Sequence, residues 1–153
     1  MPLAVRLIPV ATAALCLLAG CRTHTLEDGE YAFATSEVLR DDCGAAGTFT
    51  VLDRGALLTT GNLVKFAFTS GKPDLQGTYE FQREALVMDG VIANYRLPIR
   101  GKDCLLDTVS LHMETETVDS RNFTGTSSVT FQSLVFPECN CRYWYRFTAA
   151  KVN

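Results

Sequence analysis

The sequence predicts an all-β fold, an antiparallel up-and-down meander of about eight or nine strands, closed or nearly closed into a barrel. Apolar and polar residues alternate in repeated short runs after residue 28. Turn signals rich in Gly and Asp separate these runs, and no convincing helical periodicity appears among them. Because a parallel crossover needs about a dozen residues or more, such short connections predict antiparallel neighbours.

The alternating runs follow one another along the chain. In each run every second residue is large and apolar, which is the pattern of a strand with one buried face. The residues expected to point inward are, in chain order, Tyr31 and Phe33; Phe49 and Val51; Val64, Phe66 and Phe68; Tyr79 and Phe81; Val109, Leu111 and Met113; Phe123, Val129 and Phe131; and Tyr143, Tyr145 and Phe147.

Turns are predicted between the runs, where Asp and Gly supply the backbone angles that tight hairpins need. With one apolar face per strand, the sheet must close on itself or fold over, and we prefer a barrel to a sandwich. The predicted turns are Asp53-Arg54-Gly55, Thr60-Gly61-Asn62, Ser70-Gly71-Lys72-Pro73, Asp89-Gly90 and Asp119-Ser120-Arg121.

The first 20 residues have the pattern of a signal peptide. Arg6 lies near the start, and residues 7–20 carry no charge, a run shorter than the roughly 20 residues of a spanning helix. The end of this run, Leu18-Ala19-Gly20-Cys21, resembles the bacterial lipobox at all four positions. The resemblance implies cleavage after Gly20 and a diacylglycerol thioether on Cys21; the alternatives are an ordinary signal peptide or an uncleaved anchor.

The lipobox divides the chain into a signal peptide over residues 1–20, a lipidated tether over 21–28 and a single domain over 29–153. Arg22 follows the lipidated cysteine, where Asp favours inner-membrane retention in enteric bacteria. The resemblance therefore implies an envelope protein attached to the outer membrane.

Six cysteines are present, of which Cys16 belongs to the signal peptide and Cys21 is expected to take the lipid. An even remainder in an exported domain predicts two disulfides. Because a single residue, Asn140, separates Cys139 from Cys141, these cysteines do not match the spacing of a zinc site. If the first and last strands close the barrel, all four cysteines meet at one end. We expect Cys43–Cys141 and Cys104–Cys139, with the other cross-pairing as the alternative.

No catalytic constellation appears, so we predict neither an enzyme nor a metal or cofactor. His112 with Glu114 or Glu116 is one candidate for a base or metal ligand, and Asp103 with Asp107 is a candidate carboxylate pair. Solvated surface residues explain both groups more simply. A net charge of −3 without a basic face argues against nucleic acid as a partner.

A possible partner contact lies on the last strand. Trp144 is expected to point outward between Arg142 and Arg146, and Trp and Arg are typical interface anchors. The alternative is a Trp144 covered by a loop or by the tether.

Two functions are the main hypotheses for this sequence; a third, an inhibitor or adhesin-like module that acts through its loops, has no feature in the loops that selects it. The first is a structural or protein-interaction lipoprotein of the envelope, with a barrel interior filled by Phe and Tyr. The second is a lipocalin-like carrier of a small apolar ligand. Gly29-Glu30-Tyr31 is similar to the Gly-x-Trp of lipocalins but lacks the Trp, and Arg146 is a loose match to their conserved Arg. An empty interior would favour the carrier, and a packed interior would argue against it.

Overall fold

The computed structural model describes residues 24–44, 52–69 and 74–152, and its strands form a closed barrel. Eight strands pair antiparallel in chain order, and the last pairs with the first. The predicted fold class is therefore confirmed, with eight strands and a barrel rather than a sandwich. The predicted strand around Phe49 and Val51 and the turn at residues 70–73 lie outside the described residues. The elements are β1 (Gly29–Asp41), β2 (Arg54–Thr60), β3 (Leu63–Phe68), β4 (Leu75–Glu80), β5 (Ala85–Ile99), β6 (Lys102–Val118), β7 (Asn122–Gln132), the 3-10 helix η1 (Pro137–Cys139) and β8 (Cys141–Lys151).

The two ends of the barrel are built differently, and we name them the base and the rim. The base contains the start of β1 and the turns at residues 61–62, 81–84 and 119–121. The rim contains Cys43 after β1, the turn at residues 100–101 and the connection at residues 133–140. The chain enters the barrel at the base, where residues 24–28 precede β1.

Aromatic rings meet inside the barrel near the base. The ring of Phe33 on β1 lies 4.9 Å from that of Phe66 on β3, between centroids. The centroid of the Phe33 ring also lies 5.6 Å from that of Phe123 on β7 and 5.4 Å from that of Phe147 on β8. These contacts join strands on both sides of β1, so side chains occupy the interior at this level. Filling by side chains is one of the two states open to an eight-stranded barrel.

The inward faces agree with the predicted alternation. Along β8, for example, Tyr143, Tyr145 and Phe147 are buried, whereas Trp144 is exposed. The predicted turns at Gly61-Asn62 and Asp119–Arg121 are confirmed. The predicted turn at Asp53-Arg54-Gly55 is wrong, because Arg54 and Gly55 are the first residues of β2 and pair with β1.

The predicted turn at Asp89-Gly90 is wrong, because both residues lie inside β5. A Cβ on Gly90 would lie 2.7 Å from Leu75 Cδ2, so glycine lets the start of β4 pack closely against β5. The hairpin turns instead at Arg100-Gly101, whose φ angles are +50° and +77°. Positive φ at both central residues is the type I′ arrangement, which matches the twist of the flanking strands.

Residues 24–28, expected to be part of a polar tether, pack against the base. Leu26 is buried in the core. The backbone N–H of Glu27 donates to Ser120 O at 2.8 Å, and the Tyr31 hydroxyl donates to Glu27 O at 2.8 Å. The Glu27 carboxylate also pairs with Lys151 Nζ at 2.7 Å. The folded unit therefore includes this segment.

Candidate functional site

Two disulfides fasten the rim, with the connectivity that we preferred from the sequence. Cys43 is bonded to Cys141 with a Cα–Cα distance of 5.3 Å, and Cys104 is bonded to Cys139 at 5.9 Å. The strand order brings them together, because β1 ends at the rim whereas β6 and β8 begin there. The predicted role of all four cysteines is therefore confirmed.

Residues 133–140, which we call the rim loop, connect β7 to β8 and are held at several points. The N–H of Ser133 donates to Asn140 Oδ1 at 2.6 Å, which ties the two ends of the loop together. The N–H of Leu134 donates to Asp107 Oδ2 on β6 at 2.7 Å. The Cys104–Cys139 disulfide fastens the loop to β6 a second time. These contacts give the loop a fixed conformation.

The rim loop presents three consecutive large apolar side chains to solvent. Leu134 is 86% exposed, Val135 70% and Phe136 42%. Single exposed apolar residues are ordinary, whereas contiguous exposed apolar patches are typical of interaction surfaces. This group was not predicted. Its sequence signal is an apolar run immediately before Pro137, in a connection rather than in a strand.

A second exposed surface surrounds Trp144, which is 43% exposed and points outward as predicted. Together with Arg142 it lines a hollow of about 220 Å³ that also touches His112. Arg146 is engaged in ion pairs with Glu37 at 3.2 Å and with Glu116 at 2.9 Å. Trp144 and Arg142 therefore share one surface hollow, and the two carboxylates hold Arg146.

A third surface feature lies on the outer face near the base. Leu58 and Leu63 are 52% and 59% exposed, and they line a hollow of about 460 Å³ with Lys65 and Gln76. Lys65 is paired with Asp74 at 2.6 Å.

The acidic and histidine candidates have structural partners. His112 Nδ1 lies 2.8 Å from Asp89 Oδ1, and the two residues are directly opposite each other on β5 and β6. Glu114 pairs with Arg83. Asp103 pairs with Arg96 at 3.2 Å, and Asp107 accepts the rim-loop hydrogen bond from Leu134. Within the part of the chain that the structure describes, no group of three or more His, Cys, Asp or Glu residues is arranged to hold a metal.

The barrel interior contains one polar group of interest, the hydroxyl of Tyr145. This residue is buried among apolar neighbours, and burial raises the pKa of its phenol, an effect that the nearby Ser127 only partly opposes. Among the described residues, no hydrogen bond of ordinary geometry reaches the hydroxyl. Ser127 itself donates to His112 O at 3.0 Å.

No protein-family model matches the chain, and no curated protein matches it. Across residues 24–44, 52–69 and 74–152, the structure contains no helix with the length and apolar character needed to cross a membrane.

Proposed function

We propose that this protein is an exported lipoprotein, anchored through Cys21 to the bacterial outer membrane, with a structural or protein-interaction role in the cell envelope. The observation that carries this proposal is the motif Leu18-Ala19-Gly20-Cys21, and the placement of residues 24–28 shows how close to the barrel a lipid there would lie. His24 packs against Tyr79 at the base with 5.2 Å between ring centroids, three residues after Cys21. Three residues span at most about 11 Å, so a lipid on Cys21 would hold the base close to the bilayer.

The disulfides support export. Disulfides persist in oxidising compartments such as the periplasm and are rare in the cytosol. Both bonds lie at the rim, the end opposite the N-terminal segment. In the proposed orientation they brace the part of the barrel that extends away from the membrane.

Two observations favour an interaction role over transport. The cluster of Phe33, Phe66, Phe123 and Phe147 fills the interior near the base, which leaves less space there for a ligand. The exposed apolar group of the rim loop lies on the outside, where a partner has access. A barrel with an interior filled near the base and an exposed apolar loop at the rim is better suited to bind a partner at its surface.

The test of the proposed anchor is metabolic labelling with a palmitate analogue in cells that express the full chain. We expect labelling of the wild type and of Cys16→Ser, and loss of labelling in Cys21→Ser. Cys16→Ser is the matched control because it removes the cysteine of the predicted signal peptide and leaves Cys21 in place. Density fractionation of the envelope should place the labelled protein with outer-membrane markers. Labelled Cys21→Ser would contradict the proposal.

The alternative function is a lipocalin-like carrier of a small apolar ligand, favoured by the Tyr145 hydroxyl. A buried hydroxyl without a hydrogen bond carries a free-energy penalty of about 1–3 kcal/mol, which a ligand acceptor would relieve. Native mass spectrometry of protein purified from its membrane tests this alternative. A carrier would show a bound small molecule that is depleted in Tyr145→Phe, whereas the proposed interaction role predicts the mass of the lipidated chain alone.

A further inference from the structure

We infer that the rim loop is a docking site for a protein partner, and that Leu134, Val135 and Phe136 enter an apolar pocket on that partner. This inference rests on the proposed interaction role and deepens it, because it names the surface and the chemistry of the partner. It replaces the Trp144 surface as the principal contact. Leu134 and Val135 are each more exposed than Trp144, and the three rim-loop side chains are adjacent along the chain.

The loop is organised before any partner arrives. The bond from Ser133 to Asn140 closes it, and the bond from Phe136 N–H to Ser133 Oγ, at 3.1 Å, shapes the apolar segment itself. The first turn of η1 is closed by Cys139 N–H donating to Phe136 O at 2.9 Å. Binding to a loop of fixed conformation loses less conformational entropy, so more of the apolar burial contributes to affinity.

The charges around the loop favour a protein over an anionic bilayer. Attraction to an anionic membrane surface is worth about 1 kcal/mol for each nearby Lys or Arg. Here Lys102 lies 3.8 Å from Glu138 and Arg96 lies 3.2 Å from Asp103, so carboxylates offset these cations. Asp107 adds a further carboxylate beside Leu134. The rim also lies at the opposite end from the predicted lipid.

The size and shape of the group favour a different protein over a second copy docking loop to loop. A standard interface buries about 800 Å² on each partner, and even an aromatic side chain contributes only about 150–250 Å². A contact of one rim loop with another would bury little more than these three side chains on each copy and falls short of this area. A different protein with an apolar pocket can enclose the same side chains and also contact the ion pairs Lys102–Glu138 and Arg96–Asp103 around them.

The test places a photo-reactive benzoylphenylalanine at Val135 in the full-length protein within its native cells. The matched control carries it at Leu63, which is also apolar and well exposed at the base. We expect a discrete adduct with one other protein from position 135 and not from position 63. After identification by mass spectrometry, the purified partner should bind Val135→Asp at least tenfold more weakly than the wild type and Leu63→Asp equally well.

Other results would overturn the inference. Adducts with lipid alone would identify a membrane contact, and an adduct of two copies of this chain would identify self-association. The docking site would also be contradicted if neither position 135 nor position 134 gave an adduct. The same conclusion would follow if Leu63→Asp weakened binding of the partner as much as Val135→Asp. Palmitate labelling of the same samples separates the two proposals: labelled protein without an adduct refutes only the docking site, whereas an unlabelled protein refutes only the anchor.

Discussion

The phenol of Tyr31 joins the barrel to the N-terminal segment. Its hydroxyl donates to Glu27 O, and burial, together with the Glu27 carboxylate, raises the pKa of Tyr31 to about 12 from an ordinary value of 10.0. Because the folded state holds this proton more tightly than the unfolded state, folding is favoured while the phenol is protonated. This contribution is complete below pH 10 and is lost as the pH rises from 10 towards 12.

We expect Tyr31→Phe to lower the free energy of unfolding by about 1 kcal/mol at pH 8, the usual net contribution of one hydrogen bond. The variant should also lose less stability than the wild type between pH 10 and pH 12. Urea unfolding at a series of pH values measures both effects. Tyr95→Phe, at a half-buried tyrosine on β5, is the control and should keep the alkaline decline of the wild type. If the free energy of unfolding fell equally in the wild type and in Tyr31→Phe between pH 10 and pH 12, the Tyr31 phenol would not be the source of the alkaline loss.

Some residue-level features were predictable because they depend only on periodicity and strand order. The outward direction of Trp144 follows from alternation, and the meeting of all four cysteines at one end follows from closing the first strand against the last. Strand order alone did not decide between the two cross-pairings of these cysteines. Neither periodicity nor strand order predicted the partner of His112. A turn at Asp89-Gly90 would remove Asp89 from the strand, whereas the observed register places Asp89 directly opposite His112.

At the scale of elements, the N-terminal segment belongs to the core. We expect Leu26→Ala to lower the free energy of unfolding by about 2–4 kcal/mol, because it removes a buried side chain and leaves a cavity. Leu63→Ala makes the same chemical change at an exposed site on β3, where about 0.5 kcal/mol or less is expected. Urea unfolding of the two variants provides the comparison. Equal effects would show that Leu26 contributes no burial energy.

The strands differ in how well their sequences predict them. β8 alternates without interruption, since each inward aromatic is followed by an outward residue. β5 begins with Ala85-Leu86-Val87-Met88, an unbroken apolar run, and contains Gly90 and Pro98. An unbroken apolar run has no period of two, and glycine and proline normally indicate turns. The position of β5 is settled by its pairing with β4 and β6, which local sequence does not encode.

At the scale of the whole molecule, the described parts of the two ends of the barrel are held by different means. The described part of the base is held by the packing of Leu26 and by hydrogen bonds and ion pairs to Glu27. The rim is held covalently by two disulfides. In the proposed orientation, the noncovalent end lies near the membrane, and the covalent end extends into the oxidising compartment.

The two disulfides should differ in what their removal does. They close loops with sequence separations of 98 and 35 residues, for which the chain-entropy model gives about 5 and about 4 kcal/mol. We therefore expect Cys43→Ser/Cys141→Ser to lose slightly more stability than Cys104→Ser/Cys139→Ser in urea unfolding. Binding by the rim loop should show the opposite order, because only Cys139 lies within that loop. Comparable loss of partner binding in the two double variants, measured where both remain folded, would mean that the Cys104–Cys139 bond does not organise the docking site.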